Sequence, residues 1–146
     1  MLFRSMKTLI IYENKLTAQE FVNLTEAVGW GCPNLKQIET ALKNTIYSIS
    51  VEIDGKIIGM GRIVGDGARI FYIQDVVVEP NYQGMGIGIK IMECLMAYIE
   101  KVAMSACNTM VGLMSVKGKE RFYEKFGFQK RPNEFQGNGM ILRISK

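Results

Sequence analysis

The densest chemistry in this sequence lies in one stretch, Asp75-Val76-Val77-Val78-Glu79-Pro80-Asn81-Tyr82-Gln83-Gly84-Met85-Gly86-Ile87-Gly88. An apolar run ends at Glu79-Pro80, and a glycine-rich turn opens directly into a long helical pattern. Glycines let a backbone approach a ligand closely, and the free N–H groups of a helix's first turn suit an anion, above all a pyrophosphate. A tight strand-to-helix turn without a ligand is the plainer reading of the same residues. The common nucleotide motifs fail on spacing. A dinucleotide fingerprint starting at Gly84 wants glycine where Ile89 stands, and one starting at Gly86 wants it where Ile91 stands. Gly88-Ile89-Lys90 lacks the Gly-Lys-Ser/Thr ending of a P-loop. The sequence holds no histidine. That excludes Ser-His-Asp and Cys-His catalysis, histidine general bases and histidine-containing metal sites. Chemistry must come from carboxylates, Tyr, Cys, Lys, Ser or the backbone. Cys32, Cys94 and Cys107 are widely spaced with no CxxC pair, so they read as small core residues and no metal is expected.

The elements that must position this turn follow from hydrophobic periodicity. A β-like run over residues 7–12 precedes Thr17, which with Glu20 forms a capping box before a helix that ends at Gly29. Gly29-Trp30-Gly31-Cys32-Pro33 is a loop, and residues 34–43 make a second short helix. The period then shortens to two. Strands over 46–53 and 56–64 flank Asp54-Gly55, a strong hairpin signal, and a further strand over 69–78 follows Gly65-Asp66-Gly67. A long helix over 86–102 carries Ile87, Ile91, Leu95 and Ile99 on one face. Residues 110–116 read as a strand, 119–126 as a helix stopped by Gly127, and 128–130 with 140–144 as the last strands. The order β-α-α-β-β-β-α-β-α-β-β implies an α+β protein. Its sheet is mixed but mainly antiparallel, of six to seven strands flanked by about four helices. With no repeat or linker in sight, residues 1–146 read as a single domain.

The turn resembles the acetyl-CoA signature of the GNAT superfamily of N-acetyltransferases, a strand followed by (Arg/Gln)-x-x-Gly-x-(Gly/Ala). Gln83, Gly86 and Gly88 match it in register, and Phe122-Tyr123-Glu124-Lys125-Phe126-Gly127-Phe128 matches the family's second marker. The resemblance covers roughly residues 46–144, and within the family the wording is similar to the plant-type serotonin (arylalkylamine) branch. It implies acetyl-CoA as co-substrate. The diphosphate would rest on the backbone amides of Gln83, Gly84, Met85, Gly86, Ile87 and Gly88. The pantetheine arm would lie along Val76, Val77 and Val78, with a backbone N–H near Val78 polarising the thioester carbonyl. Gln83 stands where arginine is commoner, and Val116 where many members carry an asparagine. Tyr123 is the implied general acid, since a phenol with a pKa of ~10 stays protonated at neutral pH and can donate to the departing thiolate.

The attacking amine must lose a proton, and without histidine the candidates are Asp75, Glu79 or Glu52. Asp75 leads, because an apolar strand disfavours a carboxylate's charged form and strengthens it as a base. A pairing with Lys or Arg is its other reading. Trp30, Tyr72 and Gln74 are the candidate acceptor-side residues, and a small-molecule amine is the expected acceptor. A protein acetyltransferase and a non-catalytic acyl-CoA sensor are the alternatives.

Composition sets the remaining bounds. Hydrophobic residues make up 48% of the 146 and the net charge is +4, with basic residues crowding 117–131 among glutamates. A solvated helix face explains that cluster, and no nucleic-acid signature accompanies it. No apolar run reaches the ~18 residues of a membrane span, and the start of the chain is too weakly apolar for a signal peptide. The expected compartment is the cytoplasm, and a homodimer is compatible with the sequence.

Overall fold

The computed structural model describes residues 8–146. The N-terminal stretch read for a signal peptide, and Lys7 at the start of the first strand, lie outside the described residues. Strand β1 (Leu9–Glu13) is followed by helices α1 (Ala18–Ala27) and α2 (Leu35–Lys43). Thr17 Oγ1 accepts from the Glu20 N–H at 3.2 Å while the Glu20 carboxylate accepts from the Thr17 N–H at 3.0 Å, so the capping box forms as its spacing requires. Asn34 caps α2 by accepting from the Gln37 N–H at 3.1 Å. The end of α1 is closed by Trp30 N–H to Thr25 O and Gly29 N–H to Glu26 O, the paired bonds of a Schellman motif.

Strands β2 (Tyr47–Ile53), β3 (Lys56–Gly65) and β4 (Ile70–Val78) form an antiparallel meander. Asp54 (φ 51°) and Gly55 (φ 77°) are both left-handed, the conformation a two-residue hairpin demands. At the next turn the Asp66 carboxylate accepts the N–H groups of Ala68, Arg69 and Ile70 at 2.8–2.9 Å. Those bonds hold its carboxyl below the usual aspartate range. After β4 come a short 3₁₀ turn (Pro80–Tyr82), helix α3 (Ile87–Val102), strand β5 (Met110–Leu113) parallel to β4, and helix α4 (Glu120–Glu124).

The sheet has five strands in the order β1-β2-β3-β4-β5, where the sequence suggested six to seven. The α+β class and the four α-helices stand. The difference lies at the C-terminal end: residues 128–130 and 140–144 form no strand, and the expected strand over 110–116 stops at Leu113. Met140 is 88% exposed and Leu142 85%. Alternation marks a segment that can be a strand, but a strand exists only by pairing with an edge.

The chain forms two compact units, one ending at Leu113 and one running from Met114 to Lys146. In the first, α1 and α2 build a core of Leu16, Phe21, Val22, Leu24 and Ile38 against Met60 of β3 and Val77 of β4. The opposite face takes α3, whose Ile87, Ile91, Met92, Leu95 and Ile99 are buried. Gly61 permits that approach, since a side-chain carbon there would stand 2.7 Å from Ile91. Among the described residues no helix is long and apolar enough to cross a membrane.

Candidate active site

Strand β4 is irregular at the point where the sequence placed its chemistry. Pairing with β3 runs Ile73↔Ile63 and Gln74↔Arg62, then resumes at Val77↔Met60 and Val78↔Gly59. Asp75 and Val76 thus face Gly61 together, which is a β-bulge. Asp75 sits at φ 57°, a left-handed conformation uncommon outside glycine. Its Oδ2 lies 2.6 Å from Arg62 Nε, and the two side chains are only 18% and 15% exposed. The carboxylate is therefore committed to an ion pair, the alternative that the sequence reading left open. Arg62 was missed at the sequence level. Its signal was a lone guanidinium in an apolar strand one hairpin away from a lone strand acid.

On its other side β4 pairs with β5 only from Ile70↔Met110 to Ile73↔Leu113. Among the described residues no strand pairs with 74–78 along that edge. The Glu79 N–H donates to Ile58 O at 2.8 Å, towards β3. Successive N–H groups of a strand alternate between its edges, so the Val78 N–H is directed to the open side. The Val78 carbonyl on that side accepts from Gln83 Nε2 at 2.9 Å. Gln83 thus ties the turn back to the end of β4.

The turn itself presents backbone. Gly84 and Gly86 both have φ +79°, and a side-chain carbon at either would meet nothing within 4 Å. Conformation, not crowding by the protein, demands glycine there. Gly86 is the N-cap of α3 and supplies no side-chain acceptor. The Lys90 N–H reaches Gly86 O at 3.1 Å, so the N–H groups of Ile87, Gly88 and Ile89 are the uncapped donors at the positive end of a 16-residue helix.

In the second unit, Tyr123 lies on α4 with its ring edge-on to Phe122 (5.0 Å) and Phe128 (6.4 Å). Gly127 at φ 92° turns the chain back so that Phe128 can reach that ring, which accounts for the glycine in the marker. Burial pushes the Tyr123 phenol up, so it is held protonated. Tyr72 and Gln74 share one face of β4 with Arg62, and the Tyr72 ring would lie 3.1 Å from a side-chain carbon placed at Gly112 of β5. Trp30, between α1 and α2, is 48% exposed. Of the other candidate bases, Glu79 is buried and ion-paired to Lys56 at 2.9 Å, and Glu52 accepts from the Tyr12 hydroxyl at 3.4 Å. The core reading of the cysteines fails for two of them: Cys32 and Cys107 are exposed and only Cys94 is half-buried. The Cys94 thiol is pushed up by burial and the Cys32 thiol by its hydrogen bond to Glu26, which disfavours the thiolate that a nucleophile needs.

Known proteins resemble this chain in sequence and in fold. The acetyltransferase (GNAT) domain matches residues 44–130, which contain every element from β2 to α4. The uncharacterized N-acetyltransferase ycf52 of Pyropia yezoensis is 29% identical over 136 residues, covering 90% of this chain and 76% of that protein. The histone acetyltransferase TAP1 of Glycine max is 30% identical over 128 residues, 78% of this chain but 52% of its own length. The crystal structure of SA2161 from Staphylococcus aureus superposes with a TM-score of 0.83 at 29% identity, over 94% of this chain and all of that one. The chain belongs to the GNAT acetyltransferases and is an acetyl-CoA-dependent N-acetyltransferase. The narrower likeness to the arylalkylamine branch has no support among these relatives.

Proposed function

We propose that this protein moves an acetyl group from acetyl-CoA to a primary amine of a small, partly apolar molecule, with Tyr123 as general acid. The observation that carries the reading is the uncapped start of α3, set behind two left-handed glycines at the end of a strand whose edge is open. Backbone donors of this kind fit a diphosphate, and the edge beside Val76 and Val78 fits an extended amide-bearing arm. Acetyl-CoA supplies a thioester whose carbonyl gains negative charge under attack. The Val78 N–H is the donor to that charge, and Gln83, Gly84, Met85, Gly86, Ile87 and Gly88 form the diphosphate seat. Gln83 acts by holding the turn and not by displaying its amide. Tyr123 donates its proton to the leaving sulfur, supported by the partial burial that keeps its phenol protonated; the proton shed by the attacking amine passes to water, from which the phenolate is reprotonated.

Trp30, Tyr72 and Gln74 are proposed to meet the acceptor. The support is an exposed indole on the α1–α2 loop, together with an aromatic and an amide side chain on one face of β4. Asp75 entered as the candidate proton acceptor; its ion pair with Arg62 favours another task, developed below. The proposed compartment is the cytoplasm, consistent with three free thiols. A protein acceptor is the second reading, favoured by the relative named as a histone acetyltransferase. Release of CoA across a panel of small amines and lysine peptides tests the choice. Turnover of apolar amines above peptides supports the proposal, the reverse order supports a protein acceptor, and binding of acetyl-CoA without turnover marks a sensor.

A further inference from the structure

We infer that Arg62 and Asp75 are positioning residues for acetyl transfer: their ion pair holds the β4 bulge that aims the Val78 N–H at the thioester. The inference rests on the reading of β4 given above and assigns a task to two residues that touch no reacting atom. A left-handed non-glycine residue is strained and persists only where its surroundings over-determine it. Here the surroundings are visible. Arg62 Nε grips Asp75 at 2.6 Å, and Arg62 Nη1 donates to Thr45 Oγ1 at 3.2 Å. Thr45 in turn donates to Ala41 O at 2.9 Å, in the last turn of α2. The guanidinium carbon lies 6.0 Å from the centre of the Phe21 ring on α1. The bulge is thus anchored to both helices that flank the Trp30 loop.

The consequence for chemistry is a matter of parity. Removing the bulge would slip β4 by one residue against β3 beyond Gln74, and a one-residue slip reverses every later side chain and N–H. Val78 would then turn its N–H towards β3, and buried Val77 would lose its place against α1. A device that fixes the bulge therefore fixes which amide faces the open edge. An isolated base in the same place would need no guanidinium fork.

The test compares Arg62→Met, Arg62→Lys, Asp75→Asn and Asp75→Ala with the wild type. Three readouts are made on each: single-turnover acetyl transfer against pH, acetyl-CoA affinity, and amide hydrogen exchange. Asparagine tolerates the left-handed conformation and can still accept from Arg62, whereas alanine does neither well. In Arg62→Met and Asp75→Ala, the amides of residues 75–78 should exchange at least about tenfold faster while those of β1 and β2 hold. Transfer should fall by ~10²-fold, with acetyl-CoA affinity changing by less than about threefold. Asp75→Asn and Arg62→Lys should recover most of that loss and keep the wild-type pH profile. Equal collapse of Asp75→Asn and Asp75→Ala, with loss of the acidic limb of the profile, would make Asp75 the base and overturn the inference. So would unchanged exchange at 75–78 in folded Arg62→Met. Exchange reads the latch without any acceptor, so failure of the functional proposal would appear separately, as absent transfer by the wild type.

Discussion

At the scale of single residues the account depends most on Tyr123. Its ring is half-buried against Phe122 and Phe128 and its phenol is pushed up by desolvation, so it stays protonated across the physiological range. Tyr123→Phe keeps the ring and removes only the acid. General acid catalysis contributes ~10²–10⁴-fold, so single-turnover transfer should fall by that order with acetyl-CoA affinity and melting temperature nearly unchanged. A structural tyrosine would give lower thermal stability and a normal rate. The pH dependence carries the same sign. A general acid works below its pKa and fails as pH rises through it, so an upward shift moves the alkaline loss of rate above pH ~10. A fall in wild-type single-turnover rate beginning near pH 8 would point to another group.

At the scale of elements, the turn into α3 should separate binding from folding. Gly86 needs a left-handed conformation but faces open space, so Gly86→Asn keeps the backbone and adds a side chain where a diphosphate would sit. Acetyl-CoA affinity measured by calorimetry should drop by at least about tenfold, ~1.4 kcal/mol, in a protein that melts close to wild type. Undiminished affinity would move the seat elsewhere. Most elements were legible because their signals are local: Thr17 and Glu20 for the start of α1, Asp54-Gly55 for the hairpin, Ile87 to Ile99 for α3. The bulge at Asp75 was not, because it answers to a guanidinium on the neighbouring strand that no local window contains. The segments at 128–130 and 140–144 misled for the complementary reason. Their alternation is strand-like, but pairing, not pattern, makes a strand.

At the scale of the molecule, membership of the GNAT acetyltransferases fixes the donor and the reaction, while relatives of similar identity leave the acceptor to this chain's own residues. The absence of histidine was the most informative compositional fact, because it excluded the commonest general base and left carboxylates, Tyr, Cys, Lys, Ser and the backbone as the groups to weigh. The turn and Tyr123 were singled out by their match to the two family markers; Arg62 required the fold. The central claim is that acetyl-CoA is held by the open edge of β4 and the uncapped start of α3. Amide hydrogen exchange with and without saturating acetyl-CoA tests it directly. At about 100 times the Kd, binding should slow exchange at Val76, Val78, Ile87, Gly88 and Ile89 by up to ~100-fold, with the β1–β2 amides little affected. Saturation that leaves those five amides unchanged while protecting another region would contradict the account.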